Sequence, residues 1–377
     1  MEFGFTQEQT LLRQAAREFA EQVVAPEAER IDKAGEFPAA IFQEMAKLNL
    51  TGIIVPRKYG GVEMGHLARM FVLEEIGRIS AAVSVLLQVH HLSMAPIIDL
   101  GTEEQKQRYL PALARGEKMI AISVTEPSGG SDILGMQTTA RRDGDLYVLN
   151  GRKCFVSSSS VADYMVIVAK TGEGSKGLSA FIVDKGAEGL RVGREEHKLG
   201  LRGQGMGDLV LQNCRVSKDN LVGAEGDGLK VALRAIGEVG RAGMAGAALG
   251  IVGACLEASV KFANERILYG KPISQLQAIQ LMIADMQADL EASRLLCYRA
   301  AWMKDQGQRC DAEMALAKYY TSEAAVRCAK RAIDIHGGYG ILEEYAVQRY
   351  LRDAMTCLSA AGTSQVLQLI VARKALG

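Results

Sequence analysis

Apolar residues repeat at helical spacing through the first 116 residues of the chain. One face of the first predicted helix carries five of them: Leu11, Leu12, Ala15, Phe19 and Val23. Two later stretches, 67–79 and 81–100, are apolar enough to form buried helices. Thr102, with Gln105 three residues later, predicts a capping box at the start of another helix. The N-terminal part is therefore predicted to be all-helical.

The pattern changes to short β-branched stretches after Gly116. Five stretches are predicted as strands: Ile120–Thr125, Leu146–Asn150, Tyr164–Lys170, Leu178–Asp184 and Asp208–Val216. Turn-forming residues separate them, among them Gly144 and the pair Asn150-Gly151. This pattern predicts an antiparallel β domain of about a hundred residues.

Helical periodicity returns after Gly228. It predicts four long helical pieces: Leu229–Arg266, Leu276–Gln306, Asp311–His336 and Tyr345–Leu376. A helical bundle is the packing that buries their apolar faces. We therefore predict three domains: an N-terminal helical domain (1–117), a middle β domain (118–226) and a C-terminal helical bundle (227–377).

Composition and charge exclude several classes of function. The 377 residues are 48% hydrophobic and 23% charged, as in a globular protein. Because 44 basic and 44 acidic residues balance, nothing favours binding to nucleic acid or to an anionic membrane surface. The N-terminus has no signal-peptide pattern, and no uninterrupted apolar stretch reaches the ~20 residues of a membrane span. Seven scattered cysteines and five histidines show no metal-ligand spacing, so we expect a reduced, cytoplasmic protein without a metal.

Two segments carry recognisable chemistry. Residues 124–132 read V-T-E-P-S-G-G-S-D, and residues 358–365 read L-S-A-A-G-T-S-Q. Together they resemble the acyl-CoA dehydrogenase family, whose signatures read V-T-E-P-x-x-G-S-D and Y-E-G-T-x-Q. The resemblance spans the chain and implies an α+β fold with an N-terminal helical domain, a middle antiparallel β-barrel-like domain and a C-terminal four-helix bundle. It also implies an FAD-containing homotetramer that oxidises an acyl-CoA thioester and passes electrons to an electron-transfer flavoprotein.

The resemblance places several residues around the flavin. Thr125 and Ser157 fall where family members bond the isoalloxazine ring, which needs donors because electron density moves to its edge on reduction. Phe155 falls where an aromatic flanks the ring. Arg266 falls where an arginine contacts the pyrophosphate, a task that suits its fork of donors. The other predicted cofactor-binding residues are Ile122, Val124, Ser131, Gln277, Asp334, Gly337, Gly338, Thr363 and Gln365.

The same resemblance predicts the substrate side. Ser131, Glu238 and Arg241 are expected to hold the coenzyme A arm, and Gln88 and Gly362 are expected to line the acyl end. Because Glu238 and Arg241 are three residues apart on a helix, they could equally form an intrahelical ion pair.

The glutamate that removes the substrate's α-proton in this family is missing. Most members carry it immediately before Gly-Thr, which is Ala361 here, and a minority carry it before the bundle-helix arginine, which is Gly240 here. His91 is our candidate for a relocated base, since histidine titrates near neutrality. The alternative is a core histidine bonded to a backbone carbonyl.

The missing base leaves several functions open. The leading hypothesis is oxidation of a short or cyclic acyl-CoA, including one already unsaturated at the α,β position. A wide acyl group is favoured because glycines crowd the bundle helix at 237, 240, 243 and 246. The chain could instead be an enoyl-CoA reductase, a flavin oxidase or monooxygenase, or a base-less flavin-binding subunit of a heteromer. Ala361 could also be an engineered replacement of a glutamate.

Overall fold

The computed structural model describes residues 4–377. Helices make up the N-terminal part, with these bounds: α1 Gln7–Phe19, α2 Ala28–Ala34, α3 Ala39–Lys47, α4 Gly65–Ile79, α5 Ala81–Leu100 and α6 Glu103–Ala114. The predicted capping box at Thr102 is confirmed, since its Oγ1 accepts a hydrogen bond from the Gln105 backbone N–H at 3.2 Å. The bounds of α5 are those predicted, because an apolar run that long has no other way to bury its backbone polar groups.

A sheet forms the middle part of the chain. Its strands are β1 Ile120–Ser123, β2 Thr139–Asp143, β3 Leu146–Ser157, β4 Tyr164–Lys170, β5 Leu178–Asp184, β6 Leu190–Glu195 and β7 Met206–Ser217. Neighbouring strands follow the order β1-β4-β2-β3-β7-β6, and β5 pairs with β4. Register shifts within the β3–β7 and β6–β7 ladders bend the sheet.

The prediction of a wholly antiparallel sheet is wrong at β4. Strand β1 lies parallel to β4, with Ile120 opposite Tyr164, and β2 meets β4 in parallel at Thr139 and Lys170, while the long ladders are antiparallel. Strands β2 and β6 were not predicted, because most of their side chains are exposed and they carry no apolar run. The coarse architecture agrees with the prediction: helices, a curled and mostly antiparallel sheet, then helices again.

The C-terminal part is helical again. Its elements are α7 Gly228–Ala232, a π-helical segment Leu233–Gly240, α8 Arg241–Glu265, the hairpin of β8 Ile267–Leu268 and β9 Lys271–Pro272, α9 Gln277–Asp305, α10 Asp311–His336, α11 Val347–Cys357 and α12 Ser364–Leu376. The prediction of continuous helix over 345–376 is wrong, because the chain leaves the helix after Cys357 and re-enters it at Ser364.

Close packing brings N-terminal helices against the start of the C-terminal bundle. Helices α4 and α8 touch backbone to backbone, and a Cβ added to Gly250 would lie 2.4 Å from the carbonyl carbon of Gly77. Only glycine permits such an approach. The main core cluster accordingly mixes residues of α4 and α5 with residues of α8, α9 and α10. This packing places α5 beside the π-helical segment.

Two helices, Ala81–Leu100 and Gly228–Glu265, have the length and apolarity of a membrane span, contrary to the expectation from the sequence. In the apolar 18-residue stretch of each helix, 94% of the residues of the first and 78% of the residues of the second are buried inside the protein. That burial is typical of core helices of a globular fold, and α5 is one wall of the site described below.

Candidate active site

The loop between α11 and α12 carries the residue at the missing-base position. Ala361 has φ +55° and Gly362 has φ +104°, so the chain turns through the left-handed region at both residues. A non-glycine residue in that region costs about 1–2 kcal/mol. Thr363 then caps α12, since its Oγ1 accepts a hydrogen bond from the Val366 N–H at 3.4 Å. The loop is a defined, strained turn.

The two positions that can hold the family's base converge on one point. A Cβ added to Gly240 would lie 3.8 Å from the Cβ of Ala361 and 3.8 Å from Cδ2 of Leu92. The partly buried side chains of Ile122 and Ile236 pack against the same core cluster as Ala361. Ala361 and Leu92 therefore present methyl groups to the point where a carboxylate would act.

The π-helical segment ends at this point. Such segments frequently occur at functional sites, because the wider turn displaces backbone and side chains from α-helical register. Two of its carbonyl groups are held from the N-terminal helices. The Gly240 carbonyl accepts from Gln88 Nε2 at 3.1 Å, and the Val239 carbonyl accepts from Arg69 Nη2 at 3.2 Å. Gln88 therefore lies at the predicted acyl end, and its Oε1 is buried without a partner among the described residues.

The ring of His91 makes hydrogen bonds within the protein through both of its nitrogens. Its Nε2 lies 2.9 Å from the Leu50 carbonyl, and its Nδ1 accepts from Arg69 Nε at 3.1 Å. The ring is fully buried, and burial together with the Arg69 charge holds its pKa well below the usual value. Because both ring nitrogens are engaged within the protein, this geometry argues against the prediction that His91 is the base.

The residues predicted around the flavin ring lie together on the sheet. Main-chain pairing joins two of their segments, since the Thr125 carbonyl accepts from the Cys154 N–H at 3.0 Å. Below them, buried Lys153 donates to Glu126 Oε1 at 2.7 Å and to the Val124 carbonyl at 3.2 Å. Phe155 has φ +55° and is 59% exposed, so its ring is turned out of the sheet.

A second predicted cofactor set lies apart from the first. Arg266, Gln277, Asp334, Gly337 and Gly338 are exposed on the C-terminal helices and their connections. The Arg266 guanidinium lies over the ring of Tyr339, 5.4 Å from its centroid. Among residues 4–377, no hydrogen bond joins this set to the flavin-ring residues of the same chain. Gln365, also exposed, lies in the first turn of α12.

Comparisons with known proteins identify the family. The model of the acyl-CoA dehydrogenase N-terminal domain matches residues 6–117, that of the middle domain matches residues 121–214, and that of the C-terminal domain matches residues 226–376. The chain belongs to the acyl-CoA dehydrogenase family. It is therefore an oxidoreductase of a flavoprotein family whose cofactor is FAD.

Individual relatives match over their whole length. The chain is 40% identical to a 3-(aryl)acrylate reductase of Clostridium sporogenes over 375 residues, 99% of each chain. It is 40% identical over 371 residues to the caffeyl-CoA reductase-Etf complex subunit CarC of Acetobacterium woodii, covering 97% of this chain and 98% of the relative. Its fold matches butyryl-CoA dehydrogenase of Megasphaera elsdenii with a TM-score of 0.98 at 35% identity over 100% of both chains.

The residues of this acyl-CoA dehydrogenase family member fit a flavin. The side chains of Thr125 and Ser157 are partly buried, and no hydrogen bond of either hydroxyl is found within the described range. Nearby, the hydroxyl oxygens of Ser123 and Ser158 are buried without partners among residues 4–377. Hydroxyl donors without partners in the described part of the chain, at the carboxyl ends of β1 and β3, suit the ring of a cofactor that needs hydrogen bonds at its polar edge.

A cleft opens at the predicted coenzyme A side. Its volume is about 390 Å³, and it is lined by residues of the β4–β5 loop, of α7 and the residue shortly before it, of the π-helical segment and of α10: Ser175, Gly226, Leu229, Lys230, Leu233, Arg234, Glu238 and Asp311. Glu238 pairs with Arg234 at 2.6 Å and with Lys304. The predicted alternative of a Glu238–Arg241 pair is not formed, and the Nε of buried Arg241 has no partner in the described structure. Ser131 is exposed on the loop after β1.

Two buried charged residues near the site, and a third on α11, were not predicted. Arg69 holds the π-helical segment, Lys318 holds the loop of Ala361, and Asp353 accepts from the Leu201 N–H at 2.6 Å. A charged residue inside an apolar helical face is the sequence signal that could have found Lys318 and Arg69, since such residues are rarely buried without a role.

Proposed function

We propose that this acyl-CoA dehydrogenase family member reduces the double bond of an enoyl-CoA, and that the α-proton comes from water. The observation that carries the proposal is the convergence of Gly240 and Ala361 on one apolar point. Both positions for the base meet there, and neither carries a carboxylate. This reverses the direction of the leading hypothesis from the sequence and takes up its reductase alternative.

The chemistry of the two directions explains the preference. Bound FAD supplies hydride exchange with the β-carbon of the thioester. Oxidation requires removal of a proton from a neutral α-carbon, where a positioned base contributes typically 10²–10⁴-fold. In reduction, hydride addition at the β-carbon moves the π electrons toward the thioester and leaves an enolate, a base strong enough to take a proton from water. A site without a carboxylate therefore serves reduction better when an electron donor drives it.

The lining of the site supports a short, wide acyl group. Gly240, Ala361 and Leu92 present small or aliphatic surfaces around the position of the missing carboxylate. Removal of a glutamate side chain leaves room for a ring beside the reacting carbons. The 40% identical relatives named for arylacrylate and caffeyl-CoA support a substrate that carries a ring.

Specific residues would hold the cofactor and the thioester. Thr125, Ser157 and Thr363 would bond the flavin ring, and Phe155 would flank it. Glu238, Arg241 and Ser131 would hold the coenzyme A arm, and the cleft of about 390 Å³ at Glu238 supports this arrangement. Gln88 and Gly362 would border the acyl group. The remaining sheet residues, Ile122 and Val124, would support the ring from the core.

The outlying cofactor residues support a homotetramer. Arg266, Gln277, Asp334, Gly337 and Gly338 are exposed, and so are the large apolar side chains beside them, with Tyr269 90% and Ile341 73% exposed. A second copy that covers this surface would bring these residues, with Gln365, to a neighbouring flavin. Size-exclusion chromatography with light scattering measures the assembly, and a monomer at micromolar concentration would contradict it.

An electron-transfer flavoprotein is the proposed redox partner. The support is the relative named as a subunit of a caffeyl-CoA reductase-Etf complex. We also propose a cytoplasmic location, since all seven cysteines are free and buried, as expected in a reducing compartment.

Half-reactions of the FAD-loaded protein test the direction. The chemically reduced enzyme, mixed anaerobically with crotonyl-, cyclohexenecarboxyl- and cinnamoyl-CoA, should recover its oxidised flavin spectrum within seconds. The oxidised enzyme with the saturated counterparts should bleach at least about 100-fold more slowly than an Ala361→Glu variant does, the lower end of what a positioned base contributes. Comparable bleaching by a saturated thioester would contradict the proposal, and silence in both directions would favour a base-less flavin-binding subunit.

A further inference from the structure

A buried lysine holds the loop that carries Ala361. Lys318 lies in α10 with its side chain fully buried. Its Nζ donates to the Leu358 carbonyl at 2.9 Å and to the Gly362 carbonyl at 2.8 Å. Within residues 4–377 no carboxylate lies within ion-pair distance of it. A buried ammonium is costly unless it is hydrogen-bonded, so these two carbonyl groups are its essential partners.

The two carbonyl groups lie on either side of the turn. The Leu358 carbonyl belongs to the C-terminal end of α11, where the last carbonyl groups have no partner within the helix. A cation at that end is also favoured by the helix dipole. The Gly362 carbonyl follows Ala361 directly. The Lys318 ammonium therefore links the C-terminal end of α11 to Gly362, the residue that follows Ala361.

Other contacts between α10 and this region lie farther along the chain. Ser364 donates from its Oγ to Glu323 at 2.6 Å, and Gln368 Nε2 donates to the Tyr319 hydroxyl at 2.9 Å. Both bonds hold α12. Among the residues that the structure describes outside 355–366, only Lys318 has a side chain that hydrogen-bonds the loop of residues 358–362.

We propose that Lys318 is a positioning residue that fixes position 361 against Gly240 and thereby sets the wall against which the acyl group is held. It acts through the loop backbone, because its donors are directed at carbonyl groups. The inference rests on the proposed function for its consequence in catalysis. The mechanical part of the proposal, that the Lys318 side chain holds the loop in place, does not depend on which reaction the protein catalyses.

Hydrogen exchange of the FAD-loaded protein tests the mechanical part. Lys318→Met keeps the length of the side chain and removes its donors, and we expect amides of residues 358–363 to exchange at least about tenfold faster, equivalent to ~1.4 kcal/mol. Amides of β3 and β7 should be unchanged. Tyr319→Phe is the matched control, since it removes a bond from the neighbouring residue of α10 to α12 and should leave the loop unchanged. Unchanged loop exchange in Lys318→Met would overturn the proposal, and so would an equal acceleration throughout the C-terminal helices.

Kinetics in a variant with a restored base test the catalytic part. In an Ala361→Glu background, Lys318→Met should lower kcat for α,β-dehydrogenation by about 10²-fold while KM for the acyl-CoA changes less than about threefold, because misplacing a reacting group by about 1 Å has that effect. If Lys318→Met does not fold, Lys318→Gln keeps an amide donor and should show a smaller effect in both assays. A fall in kcat and a rise in KM together, or no change in either, would refute positioning. If Ala361→Glu has no activity while the loop exchanges faster, the proposed function fails and the positioning of the loop remains.

Discussion

Either of two substitutions should restore a base at the same point. A Cβ on Gly240 would lie 3.8 Å from the Cβ of Ala361, so a glutamate from either position reaches the same space. We therefore expect both Ala361→Glu and Gly240→Glu to catalyse exchange of the substrate α-proton. General base catalysis predicts an increase of about 10²–10⁴-fold over the unmodified protein.

The two variants should differ in their cost to the fold. Ala361 already carries a side chain at φ +55°, so a glutamate there requires no new backbone strain. A Cβ on Gly240 would lie 3.2 Å from the Ala235 carbonyl oxygen, a tight contact that requires a small shift of the π-helical segment. Ala361→Glu should therefore be the more stable and the more active of the two.

The double variant, with glutamate at both 240 and 361, tests whether the two side chains lie close together. Two carboxylates about 4 Å apart at an effective dielectric constant of about 20 repel by about 4 kcal/mol. That repulsion raises the pKa of one of them by about 3, since each pKa unit corresponds to about 1.4 kcal/mol. The double variant should therefore exchange the α-proton no faster than the better single variant, and its pH profile should show a second ionisation near or above neutrality.

The assay is incorporation of deuterium from D₂O into a saturated acyl-CoA, followed by mass spectrometry with oxidised, FAD-loaded enzyme and no electron acceptor. Ala361→Gln and Gly240→Gln, which match the shapes without a base, are the controls. The reasoning is refuted if one glutamate variant is active and the other, although folded and loaded with FAD, is inert. If the exchange rate of the double variant equalled the sum of the two single-variant rates, the convergence of positions 240 and 361 would also be refuted.

Three further variants test the structure around the site by thermal unfolding and by exchange. Lys153→Met leaves the buried Glu126 carboxylate without its cation and should lower the free energy of unfolding by about 3–5 kcal/mol. The control Lys218→Met breaks an exposed ion pair and should cost far less. Equal losses in the two variants would contradict the difference in burial. Burial raises the pKa of Asp353 to about 6 from 3.8, so the folded state binds more protons than the unfolded state between these values. Wild-type stability relative to Asp353→Asn should therefore fall as pH rises from about 4 to 6 and stay level above it, and a flat difference would exclude the raised pKa. His91→Ala should lower the melting temperature. If the variant still binds FAD, the rate of its enoyl-CoA half-reaction should stay within about threefold of that of the unmodified protein. Total loss of that reaction would support His91 as the catalytic group.

The sequence allowed prediction of the long elements because their patterns are strong. The bounds of α5 and α10 came from helical periodicity and apolar runs, and β4 and β5 from buried β-branched runs. The parallel placement of β1 was not predictable, since pairing partners are set by the whole sheet and not by one strand's pattern. The break after Cys357 was missed because Ala360 and Ala361 favour helix locally, and the tertiary contacts of the loop override that preference.

As with the fold, some features of the candidate site can be predicted from local sequence, and others exist only in the folded chain. The motif around Thr125 and the absence of a carboxylate at position 361 were visible in the sequence. The engagement of His91 was not, because it depends on Arg69 from another helix and on the Leu50 carbonyl from a distant loop. The convergence of positions 240 and 361, 121 residues apart in number, likewise exists only in the folded chain.

The backbone around position 361 departs from regular geometry at two places. Ala361 adopts a left-handed conformation, and a π-helical segment interrupts the helix before Arg241. A residue in a sparsely populated backbone region, such as Ala361, costs of order 1–3 kcal/mol and persists only where surrounding structure holds it, as Lys318 does here. A subunit that only bound flavin would require the sheet residues around Thr125 and would gain nothing from a strained wall opposite them. The strain is instead explained if the wall positions an acyl group, and this favours an enzyme that has lost its proton acceptor over a passive flavin carrier.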